Sequence, residues 1–211
     1  MVTPGFYVAV IASVFAIVDP IGTLPFYLAL TEGFDPADRR IIMHQAVVVL
    51  GVVLGVFALV GRYLFAAFGF TLYSFEVAGG ILLFLVAYDM LHGEIARTKL
   101  SPADRAEAIQ RRDEISIVPL GIPLLAGPGA ISTVMIYAGT QSVDPYALLC
   151  TLIAIAVTTV VCYFVFRYGE RILRYIGKVG IMAVTRVLGL LLAAVGVQFV
   201  LNGVLGVFHG M

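Results

Sequence analysis

The sequence predicts an all-α integral membrane protein with six transmembrane helices. Of its 211 residues, 61% are apolar and 12% are charged, about half the charged share of an ordinary soluble domain. Uncharged runs close to the roughly 20 residues that cross a bilayer recur along the chain. The 13 basic and 13 acidic residues cancel, so no net positive charge favours a nucleic-acid partner.

The gaps between charged residues place the six helices in order. Two helices also have a start signal, an aspartate N-cap followed by proline at the first helical position. Asp35 and Pro36 open the second crossing in this way, and Asp144 and Pro145 open the fifth. The runs that define the crossings are residues 1–31, with Asp19 as their one charge, 41–61, 77–88 between Glu76 and Asp89, 115–143, 146–166 and 187–211.

Basic residues are divided unevenly between the two sides of the predicted membrane. The loops on one side receive 12 of the 13 Lys and Arg residues, and the other side receives only Arg62. Short cytoplasmic loops carry the excess of basic residues in membrane proteins. We therefore expect a multi-pass protein with both termini outside the cytoplasm.

The order of crossings and loops divides the chain into two halves. Residues 1–91 form a first transmembrane repeat of three helices, residues 92–114 a cytoplasmic loop with a short helix, and residues 115–211 a second repeat of three helices. An odd number of crossings per half inverts the second half relative to the first. The fold class is therefore predicted as two inverted three-helix repeats.

The first and fourth crossings are predicted to be broken near the membrane midplane. Proline removes a backbone donor, and glycine leaves helical geometry at little cost. Paired interruptions in two halves are typical of a transport site between the repeats. We expect Pro25 and Pro123 to act in gating. The interrupting residues are Asp19, Pro20, Ile21, Gly22 and Thr23 in the first crossing and Ala126, Gly127, Pro128, Gly129 and Ala130 in the fourth.

Two broken antiparallel helices suit a small zwitterion. Helix ends with positive partial charge and helix ends with negative partial charge meet between the two broken helices. A ligand carboxylate would bind free N–H groups near Gly22 and Thr23 or near Gly129 and Ala130, with its ammonium beside Asp19. The following pair, Ser132 and Thr133, are further candidate ligand-binding residues. Their alternative role is a hydrogen bond to the carbonyl one turn earlier in their own helix.

Four acidic or basic residues in the crossings need an explanation. Asp19 is either an N-cap or a ligand-binding and ion-coupling group, since a carboxylate at this depth costs about 2.5 to 3.5 kcal/mol. Glu76, in the outer half of the third crossing, is a second ion-coupling candidate or reaches the outer surface. Asp89 and Arg186 are predicted to form a structural ion pair at the cytoplasmic end of the third and sixth crossings.

Four stretches form a recognisable set: residues 19–22, residues 78–84 with Asp89 and Met90, residues 119–130, and residues 196–199 with Asn202 and Gly203. Together they resemble the MarC family of six-span inner-membrane proteins over nearly the whole chain. Residues 119–130 are the most specific part. Thr23 departs from the pattern, in which asparagine usually follows the glycine.

The resemblance implies a place in the wider group of amino-acid transporters that includes LysE-type exporters. Some MarC members carry small neutral amino acids such as glycine and alanine, driven by an ion gradient. The resemblance therefore implies an ion-coupled carrier of small neutral amino acids in a bacterial or archaeal inner membrane, with a proton or sodium as the coupling ion. An exporter of LysE type and a non-transporting scaffold or regulator remain alternatives.

No sequence motif indicates an enzyme. The chain has no His-Glu-x-x-His, Gly-x-Ser-x-Gly, Walker or dinucleotide motif. We expect no catalytic residues, no metal and no cofactor besides the coupling ion. The expected partners are a small neutral amino acid and the lipid bilayer but no nucleic acid, and a homo-oligomer remains an alternative to a monomer.

Overall fold

The structure is a computed structural model, and it describes residues 4–32, 34–69, 71–92, 112–138 and 145–209. These residues form helical segments and include no strand. The segments are α1 (Pro4–Val18), α2 (Pro20–Leu30), α3 (Pro36–Phe68), α4 (Leu72–His92), α5 (Ser116–Leu125), α6 (Pro128–Ala138) and α7 (Pro145–His209).

Five described stretches are long and apolar enough to cross a membrane, and a sixth is formed when α5 and α6 are counted as one bent span. The predicted all-helical membrane protein is therefore confirmed, with five or six spans. The five stretches are Gly5–Leu30, Pro36–Phe68, Leu72–His92, Pro145–Gly169 and Arg186–Phe208. The predicted loop helix near residue 101 and the N-cap at Asp144 lie outside the described residues.

The start of α3 has the predicted cap. The Asp35 carboxylate accepts hydrogen bonds from the amides of Ala37 and Asp38, both at 2.9 Å, and Pro36 occupies the first helical position. The helix continues past the uncharged run that ends at residue 61. It ends at Gly69, whose φ of 67° is the left-handed conformation that glycine adopts without strain.

The last two crossings differ from the predicted pattern, because α7 is one helical element from Pro145 to His209. Residues 167–186, where a loop was expected, contain no proline and are rich in Arg, Ile and other residues that a helix accommodates. The two spans within α7 pack against different helices. Gly51 of α3 lies against Thr159 in the first span, and Gly80 of α4 lies against Gly196 in the second.

Backbones of α4 and the second span of α7 pack in close contact. A Cβ atom on Gly80 would lie 2.5 Å from the Gly196 carbonyl oxygen, and a Cβ on Gly196 would lie 2.7 Å from the Gly80 carbonyl oxygen. Further along, a Cβ on Gly203 would lie 2.5 Å from the Tyr73 carbonyl oxygen. The two spans are therefore antiparallel, and small residues let their backbones touch, as is typical of membrane helices.

Candidate functional site

Between α1 and α2, Asp19 is the one residue outside a helix, and Gly5–Leu30 remains a single candidate span. Asp19 has a left-handed backbone, with φ 43° and ψ 68°, which aspartate tolerates better than most residues. Its amide donates to the Phe15 carbonyl at 3.0 Å, and its carbonyl accepts from the Thr23 amide at 3.0 Å. Asp19 therefore departs from helical angles, while hydrogen bonds four residues apart continue on both sides of it.

The Asp19 side chain caps α2. Its Oδ1 accepts a hydrogen bond from the Gly22 amide at 2.9 Å, while the side chain stays exposed on the protein surface. The Thr23 hydroxyl donates to the carbonyls of Asp19 and Val18. Asp19 therefore acts as the N-cap of α2, one of the two roles that the sequence left open. Its ligand-binding and ion-coupling roles stay predictions. Pro20 is buried at the first position of α2, and Ile21 is exposed.

The predicted fourth crossing bends by 59° between the helical stretch Arg112–Leu125, which contains α5, and α6. Within α5, Val118 and Ile122 have extended backbone angles, each directly before a proline. The Ala126 amide donates to the Gly121 carbonyl at 2.9 Å, which closes the irregular segment. A Cβ on Gly127 would lie 2.5 Å from the Pro123 carbonyl oxygen, so the turn needs glycine there.

The two interruptions lie at the same level of the bundle. A Cβ on Gly129 would lie 3.2 Å from the Ile17 Cδ1 atom, and a hydrogen bond of 2.9 Å joins Ser13 to Tyr137 farther along. These contacts show that α1 and α6 are antiparallel neighbours. Because Ile17 precedes Asp19 by two residues and Gly129 follows Gly127 by two, the two predicted break sites lie opposite each other.

The hydroxyls of Ser132 and Thr133 are directed back into α6. Both donate to the Gly129 carbonyl, at 2.9 and 2.8 Å. This is the alternative that the sequence left open for them, and it keeps both hydroxyls engaged within their own helix.

The remaining predicted residues lie apart from the two breaks. Glu76 is half-buried on α4, one turn before Gly80. A Cβ atom on Gly189 of α7 would lie 3.1 Å from the Met90 Cβ atom of α4. Asp89 and Arg186 therefore lie at the same end of the α4 and α7 pair. Among the described residues, the ion pairs include Arg112 with Asp38 and with Asp113, but the predicted pair between Asp89 and Arg186 is not formed.

A polar cluster at the start of α3 and α5 was not predicted. Arg112 pairs with Asp38 at 3.2 Å and with Asp113 at 3.1 Å. Gln45 donates to Asp113 at 3.1 Å and accepts from the fully buried Ser116 hydroxyl at 2.7 Å. One sequence feature could have indicated this cluster. Both helices begin with polar residues on the same predicted side of the membrane. The cluster ties the second crossing to the base of the bent fourth crossing.

No group of three or more His, Cys, Asp or Glu side chains suited to a metal ion occurs in the part of the chain that the structure describes. The site consists instead of helix ends, small residues and hydroxyls around Asp19 and Gly127.

Comparison with known proteins agrees with this membrane architecture. The model of the MarC family of integral membrane proteins matches residues 5–208. The chain belongs to the MarC family. The resemblance seen in the four sequence stretches is therefore confirmed at the level of the family.

MarC-family relatives occur in archaea and bacteria. The UPF0056 membrane protein MJ0972 of Methanocaldococcus jannaschii is 40% identical, over 98% of this chain and 90% of the relative. The UPF0056 membrane protein YvbG of Bacillus subtilis is 35% identical over 96% of both chains. YhcE of Escherichia coli, another UPF0056 membrane protein, is 33% identical over 93% of this chain and 91% of the relative. No solved structure matches this MarC-family chain.

Proposed function

We propose that this MarC-family protein is a secondary active transporter of small neutral amino acids, of the glycine, alanine and serine class, that works by ion-coupled alternating access. The observation that carries the proposal is the side-by-side position of the two interrupted spans, through Ile17 and Gly129. Interrupted helices that meet inside a membrane bundle are the usual form of a carrier site.

The capping pattern supports one orientation of the substrate. The Gly22 amide at the start of α2 is already bonded to Asp19, whereas the first turn of α6 has no acidic side chain. The amides of Gly129 and Ala130, in the first turn of α6, lack an acceptor within their helix. The substrate carboxylate therefore binds at α6, and its ammonium binds beside the Asp19 carboxylate.

Two antiparallel helix pairs support the inverted repeat. The first and fourth crossings pair through α1 and α6, and the third and sixth pair through Gly80 and Gly196. A two-fold axis in the membrane plane relates two such halves. Asp19 is the fifteenth of the 26 residues in the span Gly5–Leu30, which supports a break near the midplane.

The proposed gating points are the prolines beside the breaks. Pro25 lies inside α2, and Pro123 lies inside α5, where a Cβ on Gly79 of α4 would be 3.6 Å from the Pro123 Cβ. A proline inside a helix removes one backbone hydrogen bond and leaves a bending point. The proposal includes a proton or sodium ion as the coupling ion, Asp19 and Glu76 as candidate coupling groups, and termini outside the cytoplasm in an inner membrane.

The decisive experiment is uptake of labelled glycine, alanine and serine into proteoliposomes with imposed proton or sodium gradients. We expect saturable accumulation above the external concentration for at least one of the three, with one gradient and not the other. Folded protein that accumulates none of them contradicts the proposed substrate class. A scaffold would show neither uptake nor saturable binding, and an exporter would move substrate only in the opposite direction.

A further inference from the structure

Several threonine hydroxyls in the described spans are bonded back to their own helices. A hydroxyl inside a membrane bundle has no bulk water to bond, and a backbone carbonyl one turn earlier is the nearest acceptor. The threonines that bond in this way are Thr23 to Asp19, Thr31 to Tyr27, Thr133 to Gly129 and Thr151 to Ala147.

Two adjacent threonines in the first span of α7 depart from this pattern. The Oγ1 atoms of Thr158 and Thr159 are buried and have no hydrogen-bond partner. Thr158 is 1% exposed. A buried hydroxyl without a partner costs free energy, so each such group needs a physical explanation.

The two threonines lie at the level of the irregular part of the fourth crossing. A Cβ on Gly51 of α3 would lie 3.4 Å from the Thr159 Oγ1 atom. Two residues earlier on α3, Val49 contacts Gly121, where a Cβ would lie 2.6 Å from Val49 Cγ1. Because Thr158 is next to Thr159 in the chain, it is level with the segment that leads into the break at Gly127.

Thr158 belongs to the helix face that packs against the first crossing. It shares a buried stripe with Cys162 and Phe166, at intervals of four residues. The Phe166 ring is stacked on Tyr27 of α2, with centroids 4.7 Å apart and planes 5° apart. The Thr159 hydroxyl lies against Gly51 of α3, whereas Thr158 lies on the buried stripe that reaches α2 at Phe166.

We propose that Thr158 is a third substrate-binding element of the carrier, whose free hydroxyl hydrogen-bonds the polar end of a small zwitterion held between the two breaks. The inference rests on the proposed function. The unpaired hydroxyl costs free energy in the structure, and a substrate group bonded to it would remove that cost. The hydroxyl therefore contributes to affinity and not to the packing of the helix.

The test compares variants of two buried threonines in the first span of α7. Thr158→Val keeps the side-chain volume and removes the hydroxyl, and Thr158→Ser keeps the hydroxyl. Thr151→Val is the matched control, because the Thr151 hydroxyl is buried but already bonded to the Ala147 carbonyl. The measurement is the KM for labelled glycine uptake into proteoliposomes, with thermal unfolding in detergent as the folding check.

We expect Thr158→Val to raise the KM about tenfold, the effect of losing one hydrogen bond to a charged group. Thr158→Ser and Thr151→Val should stay within about twofold of the wild type. A KM for Thr158→Val equal to that of Thr151→Val overturns the inference. If Thr158→Val unfolds, Thr158→Ala replaces it under the same criterion. Wild-type protein that accumulates no amino acid contradicts the proposed function itself, which is a separate outcome.

Discussion

The carboxylate of Asp19 and the amide of Gly22 are joined by a hydrogen bond of 2.9 Å across the start of α2. A Cβ atom at residue 22 would overlap the same carboxylate. The cap at Asp19 therefore requires glycine three residues later. Because the Asp19 backbone is left-handed, with φ 43°, the cap also holds the local conformation that separates α1 from α2.

Gly22→Ala should destabilise the protein. The new methyl group displaces the Asp19 carboxylate, and loss of an N-cap costs about 0.5 to 2 kcal/mol. The midpoint of thermal unfolding in detergent measures the effect. Gly55→Ala is the control, because nothing lies within 4 Å of its Cβ position, and alanine is favoured over glycine inside a helix. An unfolding midpoint for Gly22→Ala at or above that of Gly55→Ala would show that the cap contributes no stability.

Asp19→Asn should separate the capping role from the coupling role. Asparagine caps helices about as well as aspartate, so we expect thermal stability close to that of the wild type. The negative charge is lost, and we expect amino-acid accumulation driven by the ion gradient to be lost with it. Asp35→Asn removes the charge of another N-cap, at the start of α3, and should leave transport unchanged. Full coupled transport by Asp19→Asn would make Asp19 a cap alone.

Gly196→Val should disrupt the pairing of α4 with α7. A Cβ at residue 196 would lie 2.7 Å from the Gly80 carbonyl oxygen, so the two backbones must separate. Overpacking of this kind costs about 1 to 3 kcal/mol. Ala194→Val also introduces valine, with two added carbons instead of three, at an exposed position of the same helix and should be tolerated. Comparing the yield of monodisperse protein and the unfolding midpoint of the two variants tests the close contact.

Ser116→Ala should weaken the link between the second and fourth crossings. The buried Ser116 hydroxyl donates to Gln45 Oε1 at 2.7 Å, and its removal leaves that oxygen without this donor. The expected cost is about 1 to 3 kcal/mol of unfolding free energy. Ser132→Ala removes a hydroxyl that bonds only within α6 in the structure, to Gly129, and should cost less. Equal losses measured by chemical denaturation would contradict a role for the cluster in holding α3 to α5.

Much of the architecture could be predicted because a bilayer imposes strong local rules on sequence. Long uncharged runs predicted the spans, and the Asp35 and Pro36 signal predicted the start of α3. Proline and glycine predicted irregular backbone near Asp19 and Gly127, where α2 and α6 begin. Each of these features depends on neighbouring residues in the chain. The continuous α7 escaped prediction because charged residues in a polar stretch are as compatible with a helix as with a loop.

The sequence by itself determined the helical membrane class, the MarC family and the residues able to interrupt a helix, because apolar length, helix capping and backbone freedom are local properties. Only the tertiary structure decided that Ile17, two residues before Asp19, packs beside Gly129, two residues after Gly127. It also decided that Ser116 joins Gln45 and that the Thr158 hydroxyl is left unpaired. These relationships depend on the register of helices distant in sequence. Side-chain packing in the assembled bundle sets that register, and no local pattern encodes it.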